Sequence, residues 1–536
     1  MKNDKYLYAI IAVVYALFFI WMYSYTYDPK LDLNGDNAIY INLAHNIADG
    51  YGYCGIDLNG NAVPASHFPP GYSAILSIAI LLGVKSLLGF KIINAIFLFL
   101  SMSIIWMLVK KASNSVILAS AVAVVTLLCP TLMHFAGIVM SEMSYMFFTF
   151  LALFSLFMYK RKRDDDTELN REKSLWYDFL KSPWFYIAVI SAVVSYHIRT
   201  VGASAMFAVF VFFLFRKEWI ASLGTILLSV LLMLPWMIRN KIHGIKGRYL
   251  DTIMVVNPWR PEEGTISSFG EMFEKMLGNF DETVIKGFKE ILFPFITIDP
   301  SKASSFLGII GGIIILAVIF YGAWNMKKLR WSLFGFILAN IGLFALWHGG
   351  NGCRYVTPIA PILFACFYMG LFSLCTLCLR KIKKVTIISS VLTSCIIGIM
   401  VLLMIPSIKE QHVVAKRPYP LQYQQYFNMA EQMQSHLPPR TVVCCRKPEL
   451  FKYYAPDLCP IRYEYTEDTN ALLSKLAESR VEYVIIDNLG YASTPRYLVP
   501  AVNSRLDLFG IVMSYKNTNQ YLLKFDYRKY ENKRFQ

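Results

Sequence analysis

Apolar stretches of about twenty residues recur along this chain from Tyr6 to Ile405, and each is long enough to cross the hydrocarbon core of a bilayer. Nothing else in the sequence limits the fold as strongly. Only 16% of the 536 residues are charged and 56% are hydrophobic, where soluble domains carry about 25% charged residues. Mean hydropathy is +0.44. The chain therefore reads as a polytopic α-helical membrane protein. Its first run, Tyr6–Tyr25, follows Lys2 and Lys5 as a signal peptide would. It is too long, however, and "WMYSYTY" stands where small residues would mark a cleavage site, so it is read as a retained span.

The net charge of +16 would suggest nucleic acid for a soluble protein. Here the placement of the basic residues says more. They cluster at Lys110–Lys111, Lys160–Arg163, Arg216–Lys217, Lys327–Arg330 and Arg380–Lys384, and such clusters mark the cytoplasmic ends of spans. With the N-terminus cytoplasmic, spans near 6–25, 86–109, 115–133, 138–159, 184–197, 200–215, 219–238, 303–325, 331–348, 356–379 and 385–405 put every cluster inside. That is about eleven transmembrane helices, and the odd number sends residues 406–536 to the outer side.

Two outer loops, 26–85 and 239–302, exceed ordinary connectors. In the first, Tyr40, Leu43, Ala44 and Ile47 share one helical face of Asn37–Asp49, the pattern of a helix lying on the membrane surface, with Gly50 placed to stop it. "FPPGYSAILSIAILLG" (Phe68–Gly83) predicts a second surface or partly sunk helix opened by the proline pair. The tail differs in kind. "TVVCC", "VEYVIID" and "NQYLLKF" read as strands between the helical patterns "LQYQQYFNMAEQMQSHL" and "DTNALLSKLAESR", a small α/β domain without a glycine-rich phosphate fingerprint. The ten cysteines form no metal framework. Cys375 and Cys378 lie inside an apolar run; Cys444, Cys445 and Cys459 could supply one disulfide, though neighbours in sequence are poor partners.

Chemistry concentrates at the outer ends of the spans. Asp36 precedes "NAIYINLAHNIAD", where a carboxylate ordinarily caps the helix. Yet Asn34 and Asn37 offer an uncharged cap, and a charge near lipid is costly. Glu142, in "GIVMSEMSYMFF", is expected about one turn into an apolar span, where it either pairs with an arginine or marks a site. Arg199, Arg239 and Arg354 break the positive-inside pattern. Each calls for an anion, either one of the two acids or a phosphate met by the forked guanidinium. His67 in "SHFPPGY" is a further donor, and Tyr355 adjoins Arg354.

Taken in order, "GDNAIYINLAHNI", "FPPGYSAILSIAILLG", "VMSEMSYMFF", "LPWMIRN" and "RYVTPIAP" resemble the GT-C glycosyltransferases. The likeness is to family 39 and the ArnT/RgtA-D-like branch, which includes protein O-mannosyltransferases and the lipid A aminoarabinose transferase. It covers roughly residues 1–400. The resemblance implies a GT-C-like catalytic domain over 1–405 and a periplasmic α/β domain over 406–536, in the inner membrane of a bacterium. It implies transfer of a sugar from a polyprenyl-phosphate carrier to a glycan, lipid A or protein acceptor. Asp36 would be the base or acceptor-positioning acid and Glu142 the second acid, where many relatives have Asp. Arg199 and Arg354 would hold the carrier phosphate, with His67 and Tyr355 beside them; Arg239 would share that task or serve the fold. No cofactor is expected. No DxD pair flanks Asp36, although an isolated carboxylate could still bind a divalent metal. A transporter or flippase of a lipid-linked saccharide, or a polysaccharide polymerase, are the alternative functions.

Overall fold

The computed structural model describes residues 2–57, 61–66, 68–160, 178–245, 249–257, 263–299, 302–347 and 352–534. A helix stands at each expected span, because the apolar runs satisfy their backbone groups internally only in that form. Among the described residues seven are long and apolar enough to cross a membrane, or eight with one bent pair. The stretch expected as a single span over 115–133 is that pair. Val116–Leu127 and Pro130–Ala136 meet at 68°, since Pro130 opens the second helix and its ring cannot continue the first. Three expected crossings are shorter: Glu142–Met158, Pro183–Ile198 and Ala203–Phe215, with 17, 16 and 13 residues. At about 1.5 Å per residue the last reaches only about 20 Å.

The ends of the bundle differ in charge. Lys328 donates to the carbonyl of Tyr159, Arg216 pairs with Glu218 at 2.8 Å, and Phe215 stacks on Trp331. Three basic turns thus meet at one end of the helix Glu142–Met158, while Glu142 begins its other end.

The first outer loop lies at the Glu142 end. Asp36–Ala48 is helical and stops at Asp49–Gly50. An antiparallel hairpin follows, β1 (Cys54–Ile56) with β2 (Ala62–Pro64), and then the helix Gly71–Leu81 behind the proline pair. In the second outer loop the helix Phe269–Phe280 passes into a π-helical turn, Asp281–Lys286.

The helix beginning at Val385 does not stop at 405. It continues through Pro406 to Lys416, so a helix rather than a linker joins bundle and tail. The tail is an α/β domain whose five strands are β3 (Val442–Cys444), β4 (Cys459–Ile461), β5 (Tyr483–Ile486), β6 (Phe509–Tyr515) and β7 (Gln520–Phe525). They lie in the order β4-β3-β5-β7-β6, with the first three parallel and the last pairings antiparallel. Successive residues of a strand face opposite sides. Val442 and Cys444 join one buried cluster with Leu472 and Leu523. Val443 and Cys445 join the other, which runs without a break into the membrane bundle. Cys444 and Cys445 therefore point apart, and both are free thiols, as is Cys459.

Candidate active site

Both acids singled out by the sequence are the first residues of helices, where the exposed N–H groups of the opening turn favour negative charge. Gly35, at φ +92°, occupies the cap position before Asp36 and no side chain caps this helix. The expectation that Asp36 caps its own helix is thus corrected: the left-handed glycine places Asp36 inside the first turn, and its carboxylate turns to Arg354. Oδ2 accepts from Arg354 Nη2 at 2.7 Å. Glu142 was expected a turn into its span but heads it, because residues 137–141 are not helical.

Glu142 is fully buried, and its Oε1 lies 2.8 Å from Arg199 Nη1 and 3.7 Å from Arg354 Nε. Arg199 follows the last residue of Pro183–Ile198, the helix end that favours a cation. Its Nη1 also donates to Ser141 Oγ at 3.1 Å. Ser141 in turn shares a 3.3 Å hydrogen bond with Tyr40 OH. Tyr40 stacks on Phe68 and meets Tyr72 edge-on; burial pushes its phenol well above the ordinary range, so it stays neutral. Asp36, Arg354, Glu142 and Arg199 thus form one chain of alternating charge across the rim of the bundle.

The cluster is unevenly satisfied. Among the described residues neither oxygen of Glu142 nor Arg354 Nε makes a hydrogen bond, the Glu142 contacts being ionic, while the Asp36 and Arg354 side chains remain 25% and 22% exposed. A guanidinium carries five N–H donors, so Arg354 can hold Asp36 and still meet a second anion.

The other candidates lie differently. Arg239 donates to the carbonyls of Ala65 at 2.9 Å and Tyr53 at 2.8 Å, and packs over the Trp236 ring. It pins the β1–β2 hairpin and does not join the acids. Tyr355 OH accepts from Trp347 Nε1 at 3.2 Å. His67 lies outside the described residues. No three His, Cys, Asp or Glu among the described residues could together hold a metal ion. Ser141 and Tyr40 were missed by the sequence reading, although each lies within one helical turn of an acid that was found.

No protein-family model matches the sequence, and no curated protein matches it. Solved structures do match in fold. One is the archaeal oligosaccharyltransferase AglB from Archaeoglobus fulgidus, in complex with an inhibitory peptide and a dolichol-phosphate. The two chains are 13% identical, with 97% of this chain and 74% of that one covered and a TM-score of 0.59. Another is ArnT from Cupriavidus metallidurans bound to undecaprenyl phosphate, 11% identical, with 96% and 97% covered and a TM-score of 0.57. The chain shares the fold of these solved structures, in keeping with the fold that its motifs led one to expect.

Proposed function

We propose that this protein is an integral-membrane glycosyltransferase that moves a sugar from a polyprenyl-phosphate carrier to a hydroxyl-bearing acceptor on the periplasmic face of a bacterial inner membrane. The observation that carries the reading is the convergence of Asp36, Glu142, Arg199 and Arg354 at one end of the bundle, opposite the basic turns.

In the proposed step the acceptor oxygen attacks the anomeric carbon with inversion. Its proton passes to Asp36, and the bond from the sugar to the carrier phosphate breaks. The electron pair leaves with the phosphate, whose growing charge is met by fixed guanidinium donors. Arg354 is the first of these; Arg199, held by buried Glu142, sets the field behind it. Anchoring the donor in the bilayer brings the reacting carbon to the rim. Arg239 is assigned to holding the first loop. Both acids are engaged by arginines, so transfer is expected to proceed without a resident cofactor and to survive chelation of divalent metals. A transporter would be expected to gather its charges near the midplane, whereas these lie at one end.

The test compares envelope glycans by mass spectrometry in a strain lacking the gene, complemented with the native protein or with Asp36→Asn. A residue mass that returns only with the native protein, at equal membrane abundance, supports the proposal and names the sugar. Full restoration by Asp36→Asn would sink it.

A further inference from the structure

The tail domain reaches back to the opening turn of the Asp36 helix. Lys447, just past the carboxyl end of β3, donates from Nζ to the carbonyl of Asn34 at 2.7 Å. Glu449, at the start of the helix Pro448–Tyr454, lies so close to Gly35 that an ideal Cβ there would stand 2.4 Å from its Cγ and 2.7 Å from its Oε1. Only glycine fits that approach, and only glycine readily holds φ +92°. Glu449 is itself fixed from behind. Arg462, following β4, donates from Nη2 to both of its oxygens at 3.1 and 3.0 Å, and Lys447 lies 3.9 Å away. Its carboxylate thus presses on the positive end of the Asp36 helix, where negative charge is favourable. Two longer-range bonds brace the same segment: Tyr419 OH donates to the carbonyl of Leu31 at 3.0 Å, and Lys30 Nζ to that of Ala415 at 2.7 Å.

We propose that Lys447, Glu449 and Arg462 are positioning residues that clamp the Asn34–Gly35 turn from the tail domain and so fix Asp36 in the rim. They do not touch the rim charges; they act through the backbone that carries Asp36. The catalytic consequence rests on the function proposed above, whereas the clamp itself can be measured without it.

The experiment uses the full-length protein in nanodiscs and reads two quantities. Hydrogen exchange, followed by mass spectrometry over residues 34–41, reports how tightly the turn is held. Transfer kinetics, with binding of undecaprenyl phosphate alone as a separate probe, report the consequence. Glu449→Ala and Lys447→Met are expected to speed exchange in that segment about tenfold. They should lower kcat by about ten- to a hundredfold while carrier binding stays within about twofold. Arg462→Gln removes a side chain that is 41% exposed, so it should fold normally and show the same pattern more weakly. Gly35→Ala should lose activity too, and combined with Glu449→Ala should lose less than the two single losses together, because both weaken the same turn.

Unchanged exchange in all three tail variants overturns the clamp. Additive losses in the double variant do so as well. Faster exchange with unaltered kcat removes the positioning role. Should Asp36→Asn transfer sugar at the native rate while the exchange response persists, the proposed function falls and the clamp stands.

Discussion

Two of the buried carboxylates among the described residues, Glu142 and Asp487, are surrounded differently. At the rim, Glu142 is inaccessible and lies against two arginines. In the tail, Asp487 is almost as deeply buried, but its oxygens accept from the Thr494 hydroxyl and the Leu489 amide. Burial, only partly offset by those bonds and by Arg446, raises its pKa to about 6. Full charges close together are costly to assemble in a poorly hydrated place, and removing one leaves its partner stranded. Neutral donors are cheaper and sufficient where an acid merely ties a loop to a sheet. The contrast sets the chemistry proposed for the rim against an architectural role for the tail acid, and substitutions can break it.

The largest effect is expected at Asp36. Asp36→Asn keeps the shape of the side chain and should lower transfer by about 10²- to 10⁴-fold with membrane insertion unchanged, as measured with purified carrier-linked sugar. Glu142→Gln should cost about 3–5 kcal/mol of stability by leaving Arg199 and Arg354 facing a neutral amide; a thermal midpoint close to the native one would show that its charge is dispensable. Arg354→Ala should weaken donor binding about ten- to a hundredfold, the range of a lost charge-assisted hydrogen bond; an unchanged donor affinity removes it from the phosphate site.

Smaller effects belong to the architectural groups. A carboxyl whose pKa is raised on folding binds more protons in the folded state, so its contribution to stability grows as pH falls from above 6 toward 4. Asp487→Asn should flatten that rise and add about 2 kcal/mol at pH 7.5; an unaltered pH profile of the melting temperature would contradict it. Arg239→Ala should loosen the first-loop hairpin by about 1 kcal/mol and leave kcat within about twofold. A loss as large as that of Arg354→Ala would erase the distinction between the two arginines.

Sequence patterning was most legible where one physical force acts alone. Lipid demands long apolar helices, so the helix positions emerged from hydropathy, and short apolar runs revealed β3, β5 and β7. Strands β1, β2 and β4 are as short as β3, but each contains a glycine or proline where β3 is apolar throughout, and β6 is largely exposed. Pro406 looked like the end of the last span, yet the helix absorbs it and continues. At the site, charge against the positive-inside trend picked out Arg199, Arg239 and Arg354 alike. It could not separate the arginines that meet acids from the one that meets backbone carbonyls, because that choice depends on which loop folds over each. Least legible of all was the approach of Glu449 to Gly35, across some four hundred positions of chain.

That approach bears on how the protein comes to life. A ribosome that has reached Lys416 has already delivered every bundle helix, both rim acids and the Lys30–Ala415 brace, but not Lys447, Glu449 or Arg462, which clamp the Asn34–Gly35 turn. Those residues follow later, and β7, which pairs with both β5 and β6, emerges after both of its partners. Under the proposed function, competence would then switch on only once the tail had closed on the Asn34–Gly35 turn, and a nascent polypeptide parked in the bilayer would not yet consume its donor.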